Sequence, residues 1–404
     1  MYRVPRLAKI CTILAGAFVA AAMTAGSSAA GVTVLYAFCA QANCSDGNSP
    51  RAGLITDGPG NLYGTTYYGG TPGCTNGSGC GTVFRITKKG AESVIYTFAG
   101  GSDGANPTAP LYRDATGNLY GTTTGGTTDG AGNVFKVAQD GTESVLYQFT
   151  GGSDGDLPYS GVIADAQGNL YGTTVFGGYS GNTACEGYNG CGVVYEVAPN
   201  GTETVLHEFN FAGAHDSAFP HAGLVMDKRG TMYGTATGNP YYAGDGNIFK
   251  IAPDGTYSVL FFFAGLKNGA RPYANLIAAG KHFFGTTSGG GPSRAGTVFD
   301  ISKGGKLNTL FNFTGGSDGD LPIAPLITDK NGNLYGTTEK GGANGDGTVF
   351  EVAPDGTESV LYSFTGADDG ADPIGGLIAM KGFLYGTTSS GGQYGGGTVF
   401  KVPE

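Results

Sequence analysis

The chain has 404 residues, a formal net charge of −10 and no tryptophan. An acidic chain is a poor partner for nucleic acid. Without tryptophan it has neither the Trp-Asp dipeptide of WD40 blades nor the tryptophan-ended Asp box of sialidases.

Residues 1–30 read as an export leader. Arg3, Arg6 and Lys9 precede an apolar run from Ile10 to Met23, and Ser28, Ala29 and Ala30 offer small side chains for cleavage. The rival reading is a membrane anchor, but the run is short for a span. Beyond it no segment is apolar enough to cross a bilayer. Residues 31–404 then form one domain, expected to be secreted or periplasmic and monomeric.

The first strand after the leader is Val32–Phe38. It matches later segments such as Ser144–Phe149 and Ser359–Phe364. Next comes a unit built around Leu-Tyr-Gly-Thr-Thr, which stands at Leu62–Thr66, Leu119–Thr123, Leu170–Thr174, Leu334–Thr338 and Leu384–Thr388. Degenerate copies lie at Met232–Ala236 and Phe283–Thr287. A period of roughly 50 to 60 residues points to a propeller or an array.

One copy carries four β-type runs: Pro110–Arg113, Asn118–Thr123, Asn133–Ala138 and Glu143–Phe149. An Asp-x-x-Gly-Asn turn joins the first to the second, as in Asp114–Asn118, with Asp closing an Asx turn and Gly taking positive φ. Turns such as Pro199–Gly201 join the third to the fourth. The glycine inside the second run (Gly64, Gly121, Gly172) is expected to admit the neighbouring blade. Four strands per repeat and seven repeats predict an all-β, seven-bladed β-propeller of four-stranded blades. The chain ends on a third strand, Gly397–Val402, so the N-terminal strand is expected to complete the last blade and close the ring.

Seven cysteines are present, and Cys11 lies in the leader. The others fall in close pairs: Cys39/Cys44, Cys74/Cys80 and Cys185/Cys191. An even count in an exported chain argues for disulfides. Connectivity is not readable from sequence, although pairing within each loop is favoured. The spacing does not suit zinc.

Long, variable loops between second and third strands share a face with the loops that join blades, so function is expected there. A Ser-Asp-Gly-x-x-Pro motif recurs on that face. Its aspartates (Asp46, Asp103, Asp154, Asp216, Asp318 and Asp369) are expected around the central funnel's mouth. They bind a ligand or calcium there, or each caps its own turn. Calcium is the only cofactor in view. Tyr67, Tyr68, Tyr179, Tyr188, Tyr241 and Tyr242 offer stacking surfaces for a glycan or protein partner. His215, Asp216 and His221 form the one departure from the repeat that resembles acid–base chemistry. His207 replaces a fourth-strand tyrosine and reads as structural. Gly-x-Ser-x-Gly is absent, which weakens a serine hydrolase reading.

The ordered submotifs Leu-Tyr-Gly-Thr-Thr, Gly-Thr-Val-Phe-x-Val and Gly-Thr-Glu-x-Val-Leu-Tyr-x-Phe resemble the GloVer tandem repeat. That repeat defines the choice-of-anchor tandem repeat GloVer-containing family of exported bacterial proteins. The resemblance spans residues 32–402 and implies an exported repeat protein. It brings no catalytic residues. Members often carry a C-terminal sorting anchor, and this chain shows none after its closing strand, so an unanchored protein is expected. Kelch propellers share a period near 50 and paired glycines, a looser likeness. Two function classes follow: a binding or scaffold module, or a glycan-active hydrolase or lyase.

Overall fold

The computed structural model describes residues 31–404 apart from 71–73, 75–76, 127–129, 179–184, 186–188, 211–215 and 239–244. The leader therefore lies outside the described residues. Within them, 28 strands form seven four-stranded antiparallel sheets. Six blades are built in chain order. Blade 1, for example, runs Ile55–Thr56, Leu62–Thr66, Thr82–Ile86 and Glu92–Thr97. Blade 7 joins Ile378–Met380, Phe383–Thr388 and Thr398–Pro403 to the N-terminal strand Thr33–Ala37, with Val34 opposite Phe400 and Ala37 opposite Thr398. The expected closure is present.

Each blade repeats the same packing. The phenylalanine that follows the fourth strand meets the third-strand aromatic of the next blade edge to face. The pairs are Phe38–Phe84, Phe98–Phe135, Phe149–Tyr195, Phe209–Phe249, Phe263–Phe299, Phe313–Phe350 and Phe364–Phe400, with centroids between 4.9 Å and 5.3 Å. These rings are buried except for slight exposure of Phe263, and the edge-to-face geometry suits their quadrupoles. Between third and fourth strands every blade carries a register shift, such as that between Val134 and Phe135. Such bulges strengthen the local twist.

The glycine of Leu-Tyr-Gly-Thr-Thr has a different role from the one expected. Gly121 lies opposite Phe135 in the same blade. A Cβ there would stand 2.6 Å from Phe135 Cζ and 3.0 Å from Leu111 Cδ2. The glycine makes room for its own blade's core ring, not for the neighbouring blade.

The threonines that follow face the central axis and the upper rim. Thr122, Thr173, Thr235 and Thr387 donate to carbonyls of the next blade's innermost segment, Thr387 to Ala52 at 2.9 Å across the closure. Their neighbours pair across strands, as in Thr66–Thr82 at 2.8 Å and Thr388–Thr398 at 2.9 Å. The ring is thus held by aromatic contacts outside and hydrogen bonds inside.

Candidate functional site

The three disulfides are Cys39–Cys44, Cys74–Cys80 and Cys185–Cys191, each inside one long-face loop. Two of them brace equivalent loops, in blades 1 and 3. The same face carries the recurrent aspartates, and these sit on the outer seams between blades instead of around the mouth. Asp154 accepts the Thr150 N–H at 2.8 Å, the Thr150 hydroxyl at 2.6 Å and the Tyr147 hydroxyl at 3.0 Å. Asp369 repeats this with Thr365 and Tyr362, and Asp46 with Ala40, Gln41 and Tyr36. Asp103 takes Ala99 and Tyr96, while Asp318 takes Thr314. Each tyrosine belongs to a fourth strand, the outermost of its sheet. Each of these carboxylates takes two or three local donors, as a turn-capping residue does. Among the described residues no group of three His, Cys, Asp or Glu side chains could hold a metal ion.

The histidine-containing loop separates as well. Asp216 is buried in the outer seam, where the Tyr257 hydroxyl donates to it at 2.7 Å and His207 Nε2 lies at 3.2 Å. His221 makes other contacts, with Nδ1 3.1 Å from the Phe219 carbonyl oxygen and its ring beside those of Tyr159 and Tyr273. His215 lies outside the described residues. Asp216 and His221 therefore do not form one catalytic group.

The funnel mouth is built by a register position that the motif search passes over. Every blade begins with a residue in the left-handed region, then proline, then a residue whose type differs between blades. The left-handed residues are Ser49, Asn106, Leu157, Phe219, Arg271, Leu321 and Asp372, with φ between 55° and 60°. Such backbone is uncommon outside glycine, and it turns the chain from the loop into the innermost strand. The residues after proline are Arg51, Thr108, Tyr159, His221, Tyr273, Ile323 and Ile374.

Three of their contacts cross blade boundaries. Tyr159 and His221 rings lie 5.9 Å apart, and His221 and Tyr273 rings 4.6 Å apart. Thr108 donates to the Tyr159 carbonyl at 3.2 Å. Arg51 lies over the Tyr67 ring, 3.9 Å from its centroid, and Tyr68 meets Tyr67 edge on at 4.5 Å. Burial raises the Tyr159 phenol, and Tyr67, Tyr273 and the Arg51 charge all act on it. Glu339, on the rim of blade 6, is raised chiefly by burial and opposed by Lys340 and Arg51. Burial lowers His221 to about 4, so its ring is neutral at pH 7.

Tyr67 thus joins the mouth, and Tyr68 packs beside it. Tyr179, Tyr188, Tyr241 and Tyr242 lie outside the described residues. Arg51, Tyr159, Tyr273 and Glu339 escaped the sequence reading. The available signal was an alignment of the seven prolines, which shows unlike residues at one register position.

The fold is a seven-bladed β-propeller of four-stranded antiparallel blades. The sequence profile described as the Gloeobacter/Verrucomicrobia repeat matches residues 19–185 and 177–400, and the chain belongs to that family. No curated protein matches it in sequence. Among solved structures, it resembles the extracellular domain of a one-component system from B. thetaiotaomicron. That likeness has a TM-score of 0.54 and 11% identity, over 91% of this chain and 39% of that one. Weaker likenesses are to a luciferin-regenerating enzyme (TM-score 0.45, 12% identity, 89% of this chain and 94% of that one) and to a protein described as a gluconolactonase (TM-score 0.37, 14% identity, 67% and 80%). Of the three, only the first supports the fold, and it shows the fold alone.

Proposed function

We propose that this is an exported binding or scaffold propeller that takes a glycan or protein ligand at the funnel mouth on its long-loop face. One observation carries the reading. Seven register-equivalent positions hold Arg, Thr, Tyr, His, Tyr, Ile and Ile, whereas the proline before each of them is the same in every blade. Tyr67, Tyr159 and Tyr273 supply flat apolar faces with polar tips, which suit pyranose rings. Arg51 and Glu339 supply directed donors and acceptors for hydroxyl or charged groups. Three disulfides support an oxidising, secreted or periplasmic location. No helix among the described residues is long and apolar enough to cross a membrane.

Glu339 favours one second reading, a glycan-active hydrolase or lyase. A half-buried carboxyl raised by its surroundings is a candidate acid. A glycan array on residues 31–404, with product analysis of each hit, separates the readings. Binding without turnover supports the module. New reducing or unsaturated ends would replace it with the enzyme. No binding by wild type, or hits unaffected by Tyr159→Ala and Arg51→Ala, would reject the axial site.

A further inference from the structure

Four blade seams share a construction that neither the fold nor the axial site requires. At each, the first residue of one blade's fourth strand leans on the fourth strand and joining loop of the blade before it. At the seam between blades 7 and 1 that residue is Glu92, facing Tyr36 and Asp46, with Tyr394 nearby. Between blades 1 and 2 it is Glu143, facing Tyr96 and Asp103. Between blades 2 and 3 it is Glu203, facing Tyr147 and Asp154, with the buried Tyr195 hydroxyl within its field. Between blades 5 and 6 it is Glu358, facing Asp318, and Phe311 holds the strand position that is tyrosine at the other three. In all four, one glutamate oxygen is buried and has no hydrogen-bond partner. Among the described residues no lysine or arginine acts on any of them.

The remaining seams serve as internal controls. Between blades 3 and 4 the equivalent residue is Tyr257, which donates to Asp216 at 2.7 Å and stacks on His207 at 3.6 Å. Tyrosine makes that bond because it keeps its proton. Between blades 4 and 5 the facing residues are Leu307, Phe261 and Asn268, and between blades 6 and 7 the equivalent residue is the buried Val32. Wherever the glutamate is missing, a neutral group takes its place. A carboxylate there would set like charges together in a half-buried seam and leave an oxygen without a donor. The neutral carboxylic acid removes that repulsion and lowers the cost of burying the group.

We propose that these four seams are closed through glutamic acid, not glutamate, so that the ring is tightest in mildly acidic surroundings and loosens as the medium turns alkaline. Burial first, and the facing aspartate second, push Glu92, Glu143, Glu203 and Glu358 up to about 7 from an ordinary 4.5. The folded chain therefore binds more protons than the unfolded chain between those values. The glutamates' contribution is complete below about 4.5 and is lost as pH rises through about 7. The tight-turn aspartates act oppositely. Burial raises Asp114, but bonds from Asn118, Thr116 and Tyr120 outweigh it and hold it near 2. Its contribution is present above its ordinary 3.8 and is lost as pH falls through about 2.

The test is the thermal midpoint of residues 31–404 from pH 5 to pH 8.5, beside a variant with Glu92, Glu143, Glu203 and Glu358 all changed to Gln. Glutamine is neutral at every pH. The wild-type midpoint is expected to fall by several degrees across this range, and the variant's midpoint to stay nearly level. A wild type that is flat or rises with pH, or a variant that falls equally, overturns the proposal. Should the fourfold variant not fold, carboxyl carbon NMR of the wild type decides the matter. Glutamate resonances titrating near 7, lost one at a time in E143Q and E203Q, support it. Titration of every glutamate near 4.5 refutes it.

Discussion

Gly121→Ala tests the packing account most sharply. The added methyl would stand 2.6 Å from Phe135 Cζ and 3.0 Å from Leu111 Cδ2. Phe135 cannot simply withdraw, because it is fully buried and meets Phe98 of the preceding blade at 5.0 Å. Overpacking of this kind costs about 1–3 kcal/mol, and the rigid surroundings place it toward the upper end. Phe135→Leu alone leaves a void and costs roughly 2 kcal/mol. Together the two changes relieve each other, since the smaller side chain vacates the space the methyl needs. A coupling energy of about 1–2 kcal/mol is expected from the double-mutant cycle. Guanidinium unfolding of the four proteins measures it. Strict additivity would show that Gly121 is not matched to the ring and would refute the reasoning.

Three further outcomes follow from the same structure. Deleting residues 31–38 removes the outer strand of blade 7 together with Phe38, which packs on Phe84 at 4.9 Å; unfolding should lose cooperativity, and an unchanged thermal midpoint would contradict closure. Asp154→Ala removes an acceptor that serves three donors and should cost about 1–2 kcal/mol in chemical unfolding, with calcium producing no shift in wild type; a calcium-dependent rise of several degrees would return the aspartates to a metal role. Reduction of the short-loop disulfides should cost no more than about 3 kcal/mol each, and peptide mapping should return the pairs Cys39–Cys44, Cys74–Cys80 and Cys185–Cys191.

Much of the architecture was legible because the repeat states it seven times. The out-of-phase strand at Val32–Phe38 showed how the ring closes. The Asp-x-x-Gly-Asn turns showed their own hydrogen bonding, which Asp114 displays with Asn118 at 2.9 Å and 2.8 Å. The site was less legible for the same reason. A motif search favours what recurs, and the recurrent aspartates recur because each caps a turn. Arg51, Tyr159 and Tyr273 share only the proline before them, and their convergence depends on closure of the whole ring. His221 stood out as a rare residue, but its sequence neighbour Asp216 sits in an outer seam. Gly121 was readable as a close approach, but its partner Phe135 required the strand register.

The central claim is that ligand is held at the mouth formed by Arg51, Tyr67, Tyr159, Tyr273 and Glu339. The most direct measurement is a crystal structure of residues 31–404 with the strongest glycan or peptide hit bound. The account predicts ligand density against the faces of Tyr159 and Tyr273, with a polar group in reach of the Arg51 guanidinium. Density confined to the outer-seam aspartates or to the tight-turn face would contradict it.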